Sequence, residues 1–289
     1  MNIILFSRKQ VNHNPEQLRT LFATMQRLGL NYTINEDFAA VAENLLDITI
    51  PRDRRYDRCA QATDSDVMIP YGGDGTLLEA VQLLPNSEIP VVGINCGRLG
   101  YLTADNGEGI EELLERIAKG NISYQQRDML CVTGDFDYGE KCIALNEVAV
   151  HRHGATMISI ETFVDDNRIA TYHGDGLVIS TPTGSTAYSL SAGGPVVDPM
   201  CNCFILSPIA PHNLTMRPVV VPNNIAITLR LHSRGGEAFL SADNRTYSLK
   251  DGATIHLKRA EEQLILATPH NNTFYDTLRE KMMWGVDNR

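Results

Sequence analysis

The spacing of apolar positions changes once along the chain, and the change divides it. Positions 3–6 form an apolar run, and Leu18, Leu21, Phe22, Met25 and Leu28 then recur at helical spacing between Pro15 and Gly29. That spacing predicts an amphipathic helix with proline at its start and glycine as its stop. Positions 32–34 read as a second strand and 37–46 as a second helix. A third apolar run, 67–69, enters a glycine cluster, after which Leu77, Leu78, Val81 and Leu84 resume helical spacing up to Pro85. The next strand is 91–94. Strands alternating with helices imply crossover connections and a parallel sheet. An N-terminal α/β domain with a parallel sheet is therefore predicted over 1–105.

One further helical face, Ile110, Leu113, Leu114 and Ile117, ends at Gly120. After it come short segments rich in β-branched residues, at 143–150, 157–164, 177–180, 204–206, 225–231 and 254–257. Turn signals such as Asp165-Asp166-Asn167, Arg234-Gly235-Gly236 and Lys250-Asp251-Gly252 separate them. This pattern predicts a mostly antiparallel, all-β C-terminal domain over 106–267. Phe274, Leu278 and Met282, four apart, predict a closing helix over 273–284. The tail 268–289 is expected to join the first domain, with its helix packed back on it.

The composition fits two globular domains. The chain has 289 residues, 43% of them hydrophobic and 21% charged, which sets it apart from disordered sequences. With 25 Lys and Arg against 35 Asp and Glu the net charge is −10. Phosphate contacts to nucleic acid and attraction to anionic lipid both need the opposite sign, so neither a nucleic-acid nor a membrane partner is expected. Six cysteines are scattered at 59, 96, 131, 142, 201 and 203 with no Cys-x-x-Cys pair. Cys201 and Cys203 read as one face of a strand. The opening Met-Asn-Ile-Ile-Leu-Phe lacks a basic segment, and its apolar run falls far short of the ~20 residues of a membrane span. A cytoplasmic location is expected.

The first chemical signal is Gly72-Gly-Asp-Gly-Thr76, placed between a predicted strand and a helix. Three glycines in four positions allow a sharp turn and close ligand approach, and the following helix start presents unpaired N–H groups to a phosphate. Asp74 is the one acid in this turn. Neither the P-loop nor the Gly-x-Gly-x-x-Gly fingerprint occurs. The second signal runs from Tyr172 to Pro195, where glycines and small hydroxyl residues crowd around Gly174-Asp-Gly176 and Thr181-Pro-Thr-Gly-Ser-Thr-Ala-Tyr-Ser-Leu-Ser191. Such a stretch offers backbone donors, hydroxyls and the aromatic face of Tyr188, which suits a nucleotide. The third is Asn146-Glu147, a polar pair interrupting an apolar strand, where such residues are disfavoured unless exposed or bonded. His151 and His153 fall on one face of a strand by alternation, and no metal site is expected there.

Together these segments, with Asn95-Cys-Gly-Arg-Leu-Gly-Tyr-Leu102, resemble the NAD kinase family of the bacterial type over about residues 66–284. The Gly-Gly-Asp-Gly turn is shared with lipid kinases and is similar to that of phosphofructokinases; the 181–191 segment is far more specific. The resemblance implies transfer of the ATP γ-phosphate to the 2′-hydroxyl of the adenosine ribose of NAD, giving NADP, with Asp74 as proton acceptor. By the same resemblance NAD is bound by Asp74, Gly75, Asn146, Glu147, His173, Asp175, Thr186, Ala187, Tyr188, Ser189, Leu190, Ser191 and Ala210, the last across a subunit contact. Gly72, Gly73, Gly75 and Thr76 form the phosphate loop. The cofactor implied is Mg²⁺ or another divalent cation with ATP, without protein metal ligands, and the assembly implied is a homotetramer. Two positions depart from the pattern. His173 stands where many members carry Arg, and Asp243-Asn244-Arg245 resembles the family's Asp-Gly-Gln turn only loosely. A lipid or sphingoid-base kinase would share the first motif but should show a basic or apolar membrane-facing stretch. A non-catalytic NAD-sensing module would have no need of Asp74.

Overall fold

The structure, a computed structural model, describes all residues except 58–63, 85–86, 97–99, 105–108, 140–141, 270–272 and 286–289, and only the backbone of Ala104 and Pro269. The described residues form two compact units, 1–126 with 264–289, and 127–263. In the first, β1 (Asn2–Phe6) leads to α1 (Pro15–Arg27), β2 (Asn31–Asn35), α2 (Glu36–Leu46), β3 (Arg55–Tyr56) and β4 (Val67–Pro70). Then follow α3 (Asp74–Gln82), β5 (Gly93–Ile94), β6 (Thr103–Ala104), α4 (Gly109–Ala118) and β7 (Ile122–Arg127). The strands β3-β2-β1-β4 form a sheet in that order, and every pair is parallel. Residues 3–5 of β1 and all four of β4 are buried, the continuous apolar run that a parallel strand covered on both faces requires. The helix α1 starts as predicted. Asn14 accepts from the N–H groups of Glu16 and Gln17 at 2.9 and 3.3 Å, Pro15 follows it, and Leu18, Leu21 and Met25 enter the core. Gly29, with φ +65°, ends it.

The second unit is a sandwich. Its strands are β8 (Leu130–Gly134), β9 (Cys142–Ala144), β10 (Glu147–Arg152), β11 (Ile158–Val164), β12 (Asn167–Gly174) and β13 (Gly176–Ser180). A 3₁₀ turn (Thr183–Thr186) and the single-turn α5 (Tyr188–Ser191) precede β14 (Cys203–Ile209), β15 (Val219–Pro222), β16 (Ile227–Ser233), β17 (Glu237–Ala242), β18 (Arg245–Lys250) and β19 (Thr254–Arg259). The two antiparallel sheets run β15-β14-β13-β10-β17-β18 and β12-β11-β16-β19-β8-β9. One core draws on both, with Val148, Val150, Leu177, Ile179 and Leu240 from the first and Ile158, Ile160, Leu229, Leu231 and Ile255 from the second. The chain then returns to the first unit as β20 (Leu264–Pro269), beside β7, and α6 (Phe274–Met282). Thr273 caps α6, with Asp276 completing a capping box.

The fold class is as expected, and three details differ. The boundaries expected near 105 and 267 fall at 126/127 and 263/264. The reason is packing: Leu113, Leu114 and Ile117 of α4 enter the core of the parallel-sheet unit, and Arg27 of α1 bridges Glu111 and Glu115 at 2.7 and 2.8 Å. The single strand expected at 143–150 is broken at Leu145 and Asn146, because β9 and β10 belong to different sheets. Cys201 precedes β14 and is exposed, so it shares no strand face with Cys203; Cys59 lies outside the described residues.

Leu229 is fully buried in the sandwich core. Leu229→Ala should cost about 2–5 kcal/mol by removing a core side chain and leaving a cavity. Urea unfolding of wild type and variant measures it, and a loss below about 1 kcal/mol would mean that the site collapses around the deletion.

Candidate active site

In the first unit the strand order reverses between β1 and β4, since the chain builds outward from β1 to β2 and β3 before adding β4 on the other side. Open α/β sheets receive ligands outside the carboxyl ends of the strands at such a reversal. The predicted glycine turn lies there: β4 ends at Pro70, Tyr71 and Gly72 turn, Gly73 caps α3, and Asp74, Gly75 and Thr76 form its first turn. The N–H groups of Thr76 and Leu77 bond back to the Gly73 carbonyl at 2.8 and 3.3 Å. Those of Gly73, Asp74 and Gly75 have no acceptor among the described residues, which leaves an anion-seeking helix start.

Asp74 is held in place from one side. Its carboxylate accepts the N–H groups of Tyr101 at 2.6 Å and Leu102 at 3.1 Å, and the Thr103 hydroxyl at 3.4 Å. A carboxylate has about four acceptor sites, so the three donors among the described residues leave one open. Gly100 makes this approach possible, because a Cβ there would lie 1.7 Å from Asp74 Oδ1. Residues 97–99 of the 95–102 segment lie outside the described ones. Beneath the turn, the Ser7 hydroxyl donates to the Tyr71 carbonyl at 2.6 Å. His13 Nε2 meets the same Ser7 Oγ at 2.8 Å. The His13 ring stacks on Tyr71 and Phe38, and burial pushes its pKa down. No sequence motif pointed to Ser7 or His13.

In the second unit the polar residues gather where the chain changes sheets. Asn146 lies between β9 and β10, and Asp175 between β12 and β13. At the first corner the Asp243 carboxylate accepts three consecutive N–H groups, from Leu145 and Asn146 at 2.8 Å each and from Glu147 at 3.2 Å. On the opposite side Thr181 donates its N–H to the Asn146 carbonyl at 2.9 Å and its hydroxyl to the Leu145 carbonyl at 2.6 Å. Gly184 closes on the Asn146 carbonyl, where a Cβ would come within 2.2 Å. The Asn146 and Glu147 side chains are thereby carried on a fixed backbone. Glu147 is half-buried, its enclosed Oε2 has no hydrogen-bond partner among the described residues, and desolvation together with the nearby Asp243 charge pushes its pKa up to about 8. Asp243, to which the sequence assigned no role, is the acceptor that organises this corner.

The remaining predicted residues divide by exposure. Thr186, Ala187, Tyr188 and Leu190 are half-buried and Ser191 is exposed. The Tyr188 ring stacks on His151 at 5.5 Å, with His151 bonded to Ser241 at 3.1 Å. Ser189 is fully buried, and its hydroxyl meets that of Ser207 at 3.1 Å, so its side chain supports the segment from inside. At the second corner Arg152 Nε donates to Asp175 at 2.6 Å; no sequence motif pointed to this arginine. Ala210, exposed at φ +42°, lies beside Gly174, a Cβ on which would sit 2.7 Å from the Ala210 carbonyl. His173 is exposed and bonded to Ser159 at 2.7 Å.

A carboxylate with one free acceptor site, set in a helix start that seeks anions, suits phosphoryl transfer to a hydroxyl, and the protein is of the phosphotransferase class. Comparison with known proteins narrows the class. The profile of the ATP-NAD kinase N-terminal domain matches residues 9–122, and that of the ATP-NAD kinase C-terminal domain matches 145–268. The chain is 34% identical to an NAD kinase of Bacteroides fragilis and 36% to one of Flavobacterium psychrophilum, over the full length of each chain in both cases. The solved structure of an NAD kinase from Archaeoglobus fulgidus in complex with ATP is 26% identical, with TM-score 0.75 over 98% of this chain and 99% of that one. Yeast NADH kinase complexed with NADH shares the fold, with TM-score 0.87 at 21% identity over 100% of this chain and 89% of that one. The chain belongs to the NAD kinase family.

The raised Glu147 pKa has a consequence for stability. In the unfolded chain the group titrates near 4.5, and in the folded protein near 8. Between these values the folded state holds a proton that the unfolded state has lost, so this contribution is complete below about 4.5 and drains away as pH rises to about 8. Glu147→Gln has no such proton. Thermal unfolding from pH 5 to 9 should show the variant gaining on wild type as pH rises, then levelling above pH 8. Parallel curves would mean that Glu147 ionises freely in the fold.

Proposed function

We propose that this chain transfers the γ-phosphate of ATP to the 2′-hydroxyl of the adenosine ribose of NAD, producing NADP and ADP. Family membership supports the reaction, and the single observation that carries the mechanism is the open acceptor site on Asp74 at the start of α3. A ribose hydroxyl is a weak nucleophile until its proton has a destination, and Asp74 serves as that destination. The Tyr101 and Leu102 N–H groups orient the carboxylate. The unpaired N–H groups of Gly73, Asp74 and Gly75 receive the phosphate chain of the donor. In the second unit Asn146 and Glu147 bind ribose hydroxyl or base groups, and Asp175, Thr186, Ala187, Tyr188 and Ser191 line the dinucleotide, with Ala210 contributed across a subunit contact.

Among the described residues no three His, Cys, Asp or Glu side chains are placed to hold a metal ion. Magnesium is held mainly by phosphates and water in such reactions, so the ion arrives with the donor as magnesium–ATP. Among the described residues no helix is long and apolar enough to cross a membrane. A cytoplasmic homotetramer acting on small molecules, without nucleic-acid or membrane partners, completes the proposal. The exposed edge strand β15, with Val219 and Val220 at the surface, offers a seam for self-association. Sedimentation showing only a 32.0 kDa species at micromolar concentration would remove the tetramer.

Asp74→Asn keeps size and shape but cannot take up the proton. It should lower kcat by about 10²–10⁴ while calorimetry finds NAD binding within a few-fold of wild type. A variant keeping more than about a tenth of wild-type kcat would move the base elsewhere. Asn146→Ala and Glu147→Gln should each raise KM for NAD roughly ten- to a hundredfold and KM for ATP much less. An unchanged NAD KM in both would reduce the pair to corner structure.

A further inference from the structure

We propose that Arg8 is a donor-binding residue, a guanidinium that grips the terminal phosphates of the phosphoryl donor in the reaction proposed above, on which this inference rests. The sheet order β3-β2-β1-β4 places the carboxyl ends of β1 and β4 side by side at the reversal. The segment after β4 supplies the glycine turn; the segment after β1 supplies Ser7 and Arg8. Ser7, through its bond to the Tyr71 carbonyl, ties the two strand ends together, so Arg8 is held in register with the turn.

Its side chain lies on the first turn of α3. Arg8 Nε donates to Thr76 Oγ1 at 3.3 Å. Nη2 lies 3.2 Å, and Cζ and Nη1 each 3.7 Å, from the point a Cβ on Gly75 would occupy. Glycine at 75 thus leaves room for the guanidinium beside the unpaired N–H groups of Asp74 and Gly75. The one carboxylate near Arg8 among the described residues is Glu79, with Oε2 at 3.8 Å from Nε, and both side chains are partly exposed. An ion pair of that length in water neutralises little. Nη1 and Nη2 have no hydrogen-bond partner among the described residues. The next cation along the chain, Lys9, is engaged by Asp37 at 3.1 Å, and Lys281, which feels the Asp74 charge, lies over the Tyr101 ring at 4.3 Å.

Chemistry explains why a guanidinium belongs there. As the bond from the ribose 2′-oxygen to the γ-phosphorus forms, the bond from that phosphorus to the bridging oxygen breaks. The electron pair stays on the β-phosphate, and the hydroxyl proton passes to Asp74. Charge therefore grows on the β-phosphate while the non-bridging γ-oxygens are transferred. This chain has no P-loop lysine, and helix N–H groups carry only partial charge. Arginine is always protonated, and its planar fork matches two phosphate oxygens at once.

The test uses the full-length protein with NAD and magnesium–ATP. Arg8→Gln should lower kcat/KM for ATP about ten- to a hundredfold, leave the NAD dissociation constant within twofold, and weaken binding of a non-hydrolysable ATP analogue. Arg8→Lys, which keeps the charge and loses the fork, should fall between the two. Added guanidinium should restore part of the activity of Arg8→Ala and none to wild type, an effect that a merely structural arginine would not produce. If wild type forms NADP and Arg8→Gln matches it in ATP kinetics and analogue binding, Arg8 has no donor role. Equal loss of NAD and ATP binding in Arg8→Gln and Arg8→Lys, with no guanidinium rescue, would make it structural and also overturn the proposal. A wild type that forms no NADP would instead overturn the reaction itself, and analogue binding would still report on Arg8.

Discussion

Three consecutive backbone N–H groups, at Leu145, Asn146 and Glu147, converge on the Asp243 carboxylate. A strand that leaves one sheet to enter another abandons its ladder partners, and buried N–H groups without acceptors are costly. One aspartate meets the whole requirement at this corner. Because its partners are backbone atoms, the Asn146 and Glu147 side chains stay available for other work. Desolvation pushes the Asp243 pKa up, while the three N–H groups and Arg245 pull the other way. The carboxyl of Glu147 rises to about 8, first through desolvation and then through the nearby Asp243 charge, against a backbone hydrogen bond from Tyr188.

The first unit uses the same device with a different outcome. Asp74 also accepts consecutive N–H groups, from Tyr101 and Leu102, but it stands at a half-buried helix start and keeps one acceptor site open. One carboxylate serves as scaffold for the backbone; the other is placed to do chemistry. The setting differs: Asp243 closes a backbone corner between two sheets, and Asp74 stands in a helix start that seeks anions.

Beneath both sites the packing is ordinary, and that matters for function. The parallel strands β1 and β4 are buried by their apolar runs, which fixes the register of Ser7 against Tyr71 and hence of the residues beyond them. The two sheets of the sandwich share one core, so the corners at Asn146 and Asp175 are set by strands that cannot shift register without exposing apolar side chains. Polar residues at these corners are placed by the hydrophobic residues on either side of them.

Much of this was legible in the sequence. The periods of apolar residues determined the parallel-sheet unit, the β-rich unit and the closing helix, because period 3.6 and period 2 reflect local geometry. The glycine turn around Asp74 and the hydroxyl-rich segment at 181–191 were equally visible, since glycine and small residues in clusters have few local explanations. What the sequence could not determine were relations between distant positions. The unit boundary moved from 105 to 126 because α4 packs on α1, eighty residues away, through Arg27 and a shared core. Asn146 and Glu147 looked like mid-strand residues because nothing local says that β9 and β10 belong to different sheets. Asp243 lies nearly a hundred residues from the N–H groups it satisfies, and Arg8 nearly seventy from the hydroxyl it touches. Hydrogen bonds of that span carry no periodicity, so only the tertiary structure decided them.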